Sequence, residues 1–145
     1  MKNAAPKQKI YLCGPIMDEH DGRARAWRET AQKLLGKNFT LLDPMRRNFK
    51  DREVDSANEI VEFDLQDVRD ADIILVNYNK NSIGTAMEVF YASHDLNKFV
   101  IAFTPFSFKD SSPWMVRFCT KLHPSLEAAC AYINEHFVAQ NHARR

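Results

Sequence analysis

Two carboxylates, Asp64 and Glu88, and one phenol, Tyr11, are the residues of this sequence whose types and positions suit joint chemistry. Glu88 follows the most apolar strand candidate, residues 73–76, across a polar loop and a single glycine, Gly84. That order puts Glu88 in the first turn of a helix at the carboxyl edge of a parallel sheet, where α/β folds bind ligands. A glutamate there also has a plain structural explanation, because the helix dipole favours an acid near the N-terminus. Asp64 is harder to explain away. At about 100° per residue, Ala57, Ile60, Val61, Leu65 and Val68 form one apolar stripe of a helix over 56–70, and Asp64 falls inside it. Glu59, Glu62, Gln66, Arg69 and Asp70 lie on the opposite side. A carboxylate facing a sheet is costly unless it is paired or opens on a polar cavity. Asp64 therefore either meets an arginine or backbone loop, or looks into the cleft that Glu88 borders. Tyr11 ends the first strand, either as a core aromatic with its hydroxyl at the rim or as the third member of a site. Two carboxylates and a phenol suit glycosidic-bond chemistry. One acid attacks or stabilises an oxocarbenium-like sugar while another group manages protons at the leaving group.

The elements that must position these residues alternate along the chain. Strands are expected over 9–13, 39–42, 72–78, 99–104 and 121–123. Helices are expected over 22–35, 56–70 and 85–97, with a last one capped by Ser125. In the first helix Ala24, Trp27, Ala31, Leu34 and Leu35 share one face, with charges on the other. Residues 114–120 read equally as a short helix or as irregular chain. Alternation of this kind argues for α/β architecture: a single three-layer domain with a five-stranded parallel sheet and right-handed crossovers. The expected strand order is 2-1-3-4-5, flavodoxin-like, with its switch point between strands one and three. The loops after those two strands would then be neighbours, Gly14, Pro15 and Ile16 in one and Ser82 and Gly84 in the other.

Bulk properties narrow the function classes. The chain has 145 residues, one domain's length, with tails expected at 1–8 and 139–145. Hydrophobic content of 45% and charged content of 27% are ordinary for a soluble globular protein. A net charge of +1 gives no general field for a nucleic acid polymer. No apolar run is long enough for a signal peptide or a membrane span. Cys13, Cys119 and Cys130 are too few and scattered for a disulfide framework, and they lack zinc-ligand spacing. They read as buried thiols in a reducing cytoplasm, with no metal and no cofactor. A non-catalytic nucleotide- or flavin-binding module on the same fold is the rival from another class. Against it, the chain has four glycines and no glycine-rich phosphate loop.

Three stretches together resemble the nucleoside 2-deoxyribosyltransferase family, which includes the 2'-deoxynucleoside 5'-monophosphate N-glycosidases. They are Tyr11-Leu12-Cys13-Gly14-Pro15-Ile16, then Glu62-Phe63-Asp64-Leu65-Gln66-Asp67-Val68, then Asn81-Ser82-Ile83-Gly84-Thr85-Ala86-Met87-Glu88-Val89. The resemblance runs from about Ile10 to Phe137. It implies that Glu88 is the nucleophile, attacking C1' of a deoxyribose to form a covalent deoxyribosyl-enzyme. It implies that Asp64 contacts the substrate and assists the base or sugar, and that Tyr11 orients nucleophile or sugar. Gly14 would let the backbone approach the ligand closely. Where the transferases carry an aspartate six residues before the nucleophile, this chain has Ser82, as the monophosphate N-glycosidases do for the 5'-phosphate. A hydroxyl tolerates a phosphate that a carboxylate would repel. Arg46 and Arg47 could add charge at that phosphate, or simply be a solvated loop pair. The family also implies a homo-oligomer in which a neighbour's segment after strand four, here Ser112 and Met115, completes the site. Phe103, Phe106, Phe108 and Trp114 would suit an oligomer interface if exposed, or else cover the end of the sheet. The partners implied are a deoxynucleoside or deoxynucleotide and a free nucleobase.

Overall fold

Five short strands, rich in Ile, Val, Leu and aromatics, pair in parallel in the order β2-β1-β3-β4-β5. They are β1 (Lys9–Cys13), β2 (Thr40–Leu42), β3 (Ile73–Asn77), β4 (Phe99–Phe103) and β5 (Lys121–His123). The expected order is the observed one. The computed structural model describes residues 5–17, 19–49 and 51–138. Residues 1–4 and 139–145 of the expected tails lie outside the described residues, and 5–8 run as irregular chain into β1.

β3 is buried along its whole length, as a central strand covered on both faces must be. Alternation along β1 then sorts its side chains between two layers. Ile10 and Leu12 pack with Trp27, Ala31 and Leu35 of α1 (Asp21–Leu35) and with Ala129, Cys130 and Ile133 of α5 (Leu126–Ile133). Tyr11 and Cys13 face the other layer. There they meet Val68 of α2 (Ala57–Asp70), Val89 of α3 (Ile83–Phe90) and Met115 of α4 (Pro113–Phe118). The ambiguous stretch near 114 is thus helical, started by Pro113 at a position where its missing N–H costs nothing. Among the described residues, no helix is long and apolar enough to cross a membrane.

Three expectations are corrected by this packing. In α1 the fully buried residues are Ala24, Arg28, Ala31 and Leu35, with Trp27 beside them, while Leu34 stands 41% exposed. The helix turned slightly further than its apolar residue types suggested, and a charged residue went inside. In α2 only Asp67 and Val68 are buried, and Val61 is half exposed. The helix touches the sheet with its C-terminal half and overhangs the edge with the rest. Finally, α3 begins at Ile83, two residues earlier than expected, and it continues through a π-helical turn, Tyr91–Asp95. Glu88 therefore lies in the second turn rather than the first. Its position follows from helix rotation beside the inward-facing Thr85 and Val89, not from the dipole at the helix start.

Candidate active site

The register of β1 with β3 brings Cys13 level with Val76 at the carboxyl edge. The chain leaves that edge through Gly14, where packing supplies a reason for glycine that the sequence does not display. A Cβ at Gly14 would sit 2.9 Å from the Trp27 ring and 3.1 Å from Asn77 Cβ. Packing alone already requires glycine there. Pro15 is buried, Ile16 is partly exposed, and neither lines the two cavities described below.

α3 crosses this edge and places Glu88, half-buried, against β1. The Cys13 thiol donates to Glu88 Oε2 at 3.1 Å, and the Tyr11 hydroxyl hydrogen-bonds to the same carboxylate. Burial above all, and next the negative charge of Asp64, push the Glu88 carboxyl up to about 7. The thiol, the phenol and the positive charge of Arg28 pull the other way. Burial, reinforced by Glu88, also raises Tyr11 and Cys13 well above their ordinary values. Both remain protonated near neutrality, so the site holds one carboxylate facing two fixed donors.

Asp64 approaches from α2. It does find an arginine: Arg47 Nη2 lies 3.0 Å from Asp64 Oδ1. Burial raises the Asp64 carboxyl, with Arg47 opposing. The ion pair and the cleft are therefore not alternatives, because Asp64 also lines an open cavity of about 740 Å³ together with Glu88, Gly84, Met87, Trp114 and Met115. The cation is in turn anchored by Asp67, whose carboxylate takes Arg47 Nη2 at 2.8 Å and Arg46 Nη2 at 2.7 Å. Those two arginines hold Asp67 well ionised against its burial. So Arg46 and Arg47 are tied to the acids of α2, and neither lines the cavity around Ser82. Asp67 was missed by pattern reading, although its spacing from Asp64 puts both on neighbouring turns opposite a pair of arginines.

Ser82 precedes α3 in extended conformation and makes no side-chain cap. It lines a second cavity of about 320 Å³ with Lys80, Asn81, Ser112, Trp114 and Met115. Trp114 and Met115 border both cavities, so the two spaces adjoin. Tyr78 stabilises this wall, its hydroxyl accepting the Ser112 N–H at 2.9 Å. Phe103 and Phe106 pack on the two core clusters, while Phe108 and Trp114 stand 75% and 67% exposed. Of the four aromatics, two thus cover the sheet and two face solvent.

Gly84 contrasts with Gly14. A Cβ at Gly84 would meet nothing within 4 Å, and the residue lines the larger cavity. The fold does not need this glycine. Gly84→Ala is expected to fold with unchanged or slightly higher stability, since alanine is the better helix residue by about 0.5–1 kcal/mol. If the free space beside it holds ligand, KM rises about tenfold while thermal unfolding is unmoved or shifts upward. A normal KM would show that ligand does not come close to this backbone.

An α/β sheet whose carboxyl edge carries a near-neutral buried acid, two donors and a second acid defines a ligand-binding enzyme edge. The comparisons agree. Residues 10–117 match the model of the family described as nucleoside 2-deoxyribosyltransferase. Among solved structures, a 2-deoxyribosyltransferase from Bacillus psychrosaccharolyticus is 20% identical with a TM-score of 0.70, covering 90% of this chain and 94% of that one. A 2-desoxiribosyltransferase from Leishmania mexicana is 22% identical with a TM-score of 0.66, covering 90% and 99%. A CMP N-glycosidase, BcmB, from Clostridium botulinum is 14% identical with a TM-score of 0.60, covering 89% and 100%. No curated protein sequence matches the chain. The chain belongs to the nucleoside 2-deoxyribosyltransferase family and is an enzyme acting on N-glycosidic bonds.

Proposed function

We propose that this enzyme cleaves the N-glycosidic bond of 2'-deoxynucleosides through a covalent intermediate on Glu88 and passes the sugar to another base. The observation that carries this reading is the Glu88 carboxylate itself, held near neutrality between Cys13 and Tyr11 and opposite Asp64. A Glu88 oxygen attacks C1', and the C1'–N bond breaks. The base leaves with the bonding pair and takes up a proton, from Asp64 where that acid carries one. The resulting deoxyribosyl ester is opened when an acceptor base nitrogen or water attacks C1' and gives up its proton to Asp64, which breaks the C1'–O bond, returns the Glu88 carboxylate and restores the acid. A 2'-deoxy sugar suits this path, because the missing hydroxyl makes an oxocarbenium-like transition state less costly.

A second reading is a 2'-deoxynucleoside 5'-monophosphate N-glycosidase, in which water is the acceptor. Ser82 favours it, because a neutral hydroxyl beside Lys80, Asn81 and Ser112 suits a phosphate. One chromatographic assay separates the readings. Each deoxynucleoside and each monophosphate is incubated with and without a second free base. A new nucleoside identifies the transferase, and free base without acceptor identifies the hydrolase. Nucleotide binding with no turnover would instead favour a non-catalytic module.

The exposed side chains Met87 and Trp114 line the larger cavity, and the exposed Ile83 lines the smaller one beside it, so the three form an apolar face over the adjoining spaces. We read it as the seat of a second copy of the chain, with Ser112 and the exposed Trp114 nearest the neighbour, while Met115, at 5% exposure, belongs to this chain's own core and cavity wall. Sedimentation showing only monomer at micromolar concentration would remove that part of the reading. The three buried free thiols suit a reducing compartment such as the cytoplasm.

A further inference from the structure

Arg28 heads the fully buried side chains of the described residues by volume, yet the mechanism above gives it no task. It comes from α1, in the layer opposite Glu88. Its Nη1 donates to the Ala24 carbonyl at 2.7 Å, and its guanidinium lies 4.5 Å above the Trp27 ring. Its Nη2 donates to the carbonyls of Gly14 at 3.1 Å and Leu12 at 3.4 Å. Those two carbonyls flank Cys13, whose thiol touches Glu88. The guanidinium thus fastens, from one side of the sheet, the strand end that holds the nucleophile on the other.

Its charge is only partly compensated. Nε faces Asp43 Oδ1 at 3.5 Å but makes no hydrogen bond, and the Asp43 side chain is 39% exposed. Burying a guanidinium costs several kcal/mol unless it is well paired. The other titratable groups around it are Tyr11 and Cys13 from β1, both protonated, Glu88 from α3 and, beyond it, Asp64 from α2, already engaged by Arg47. Of these groups, the one whose negative charge no other cation named here engages is Glu88 on ionising.

We infer that Arg28 is a positioning residue of this site, clamping the carbonyls that flank Cys13 and supplying the buried positive charge against which Glu88 is held as an anion. The inference rests on Glu88 being the nucleophile. Arg28 does counteract the rise of the Glu88 carboxyl, and Glu88 supports the charge of Arg28 in return.

The test uses Arg28→Met, Arg28→Lys and Asp43→Asn in the full-length enzyme. Two quantities are read: the acid limb of kcat/KM, and the Glu88 carboxyl titration by carbon NMR, assigned by its disappearance in Glu88→Gln. Arg28→Met should move both upward by about one pH unit, and Arg28→Lys should stay close to the parent. Asp43→Asn should move both downward, because it strips the guanidinium of its one ion-pair partner among the described residues. A purely structural clamp would not produce shifts of opposite sign. Unmoved titrations in folded Arg28→Met, or shifts of the same sign in both variants, overturn the inference. Should Arg28→Met fail to fold, Asp43→Asn decides alone, and no downward shift there overturns it. If instead the carboxyl titrations move as expected while Glu88→Gln keeps its activity, the catalytic reading falls and the electrostatic link stands.

Discussion

Glu88→Gln is expected to lose base release by more than about 10³-fold and, at the same time, to be more stable than the parent above pH 7. The two effects have one cause. The Glu88 carboxyl is raised to about 7 in the folded chain, chiefly by burial and then by Asp64. In an unfolded chain it sits near the ordinary glutamate value, about 4.3. Between those values the folded state keeps a proton that the unfolded state has released. Stability is therefore fully present below the unfolded value, falls as pH rises through the window up to about 7, and stays low above it. Gln keeps the shape of Glu88 and never ionises, so it escapes this loss. The gain should be about 2–3 kcal/mol at pH 8 and fade toward pH 4. Urea unfolding of both proteins at the two pH values checks it, and the assay above checks the rate. The parent's kcat/KM should rise with pH through an acid limb near 7, because only the carboxylate attacks. A stable variant that still releases base would end the claim that Glu88 is the nucleophile. An inactive variant with no stability gain at pH 8 would mean that the acid is not held in the strained, desolvated state described here.

How far the sequence revealed this arrangement depends on which physical rule governed each residue. The strands were readable because a parallel sheet buried on both faces needs continuous apolar runs, and 73–76 is one. Alternation with helices argued for a parallel sheet, the order 2-1-3-4-5 was expected by likeness to the flavodoxin arrangement, and that order is why the loops after β1 and β3 meet. Asp64 was readable as an exception to helical periodicity, a polar residue inside an apolar stripe. The same rule hid Arg28. Its spacing from Ala24, Ala31 and Leu35 is that of a buried face, but charged side chains are assigned outward by type. Only the carbonyls of Leu12 and Gly14, offered by a strand end that no sequence pattern displays, explain why it is inside. Gly14 illustrates a different limit. Its glycine was legible and its reason was not, because the Trp27 ring that excludes a Cβ comes from another element. Arg46 and Arg47 stood as loop cations, either near a phosphate or solvated, and Asp67, which engages both, appeared only as part of a motif with no role of its own.

Asp64→Asn should lower kcat by about 10²–10⁴-fold while shifting the acid limb of kcat/KM to lower pH. Both halves follow from its two neighbours. Toward Glu88, Asp64 is the second cause of the raised carboxyl, after burial, so removing its charge lets the nucleophile ionise more readily. A more available nucleophile alone would speed the reaction at low pH. The expected loss of turnover therefore has to come from the other role, protonating the leaving base or holding the sugar, which an amide cannot supply. Toward Arg47, the variant leaves the guanidinium with Asp67, at 2.8 Å, so the cation stays anchored and the helix keeps its place. That is why the fold should survive with unfolding shifted by no more than about 1 kcal/mol. Arg47→Met separates the two roles further. It frees Asp64 from its ion pair, raises that carboxyl and leaves Asp67 with Arg46 alone. An Asp64 acting as proton donor would then stay competent to higher pH, and the alkaline limb would move upward. An Asp64 that only anchors Arg47 would leave kcat and the alkaline limb untouched in Asp64→Asn, with the acid limb alone moved by the lost charge, and would make the ion pair with Arg47 its whole purpose.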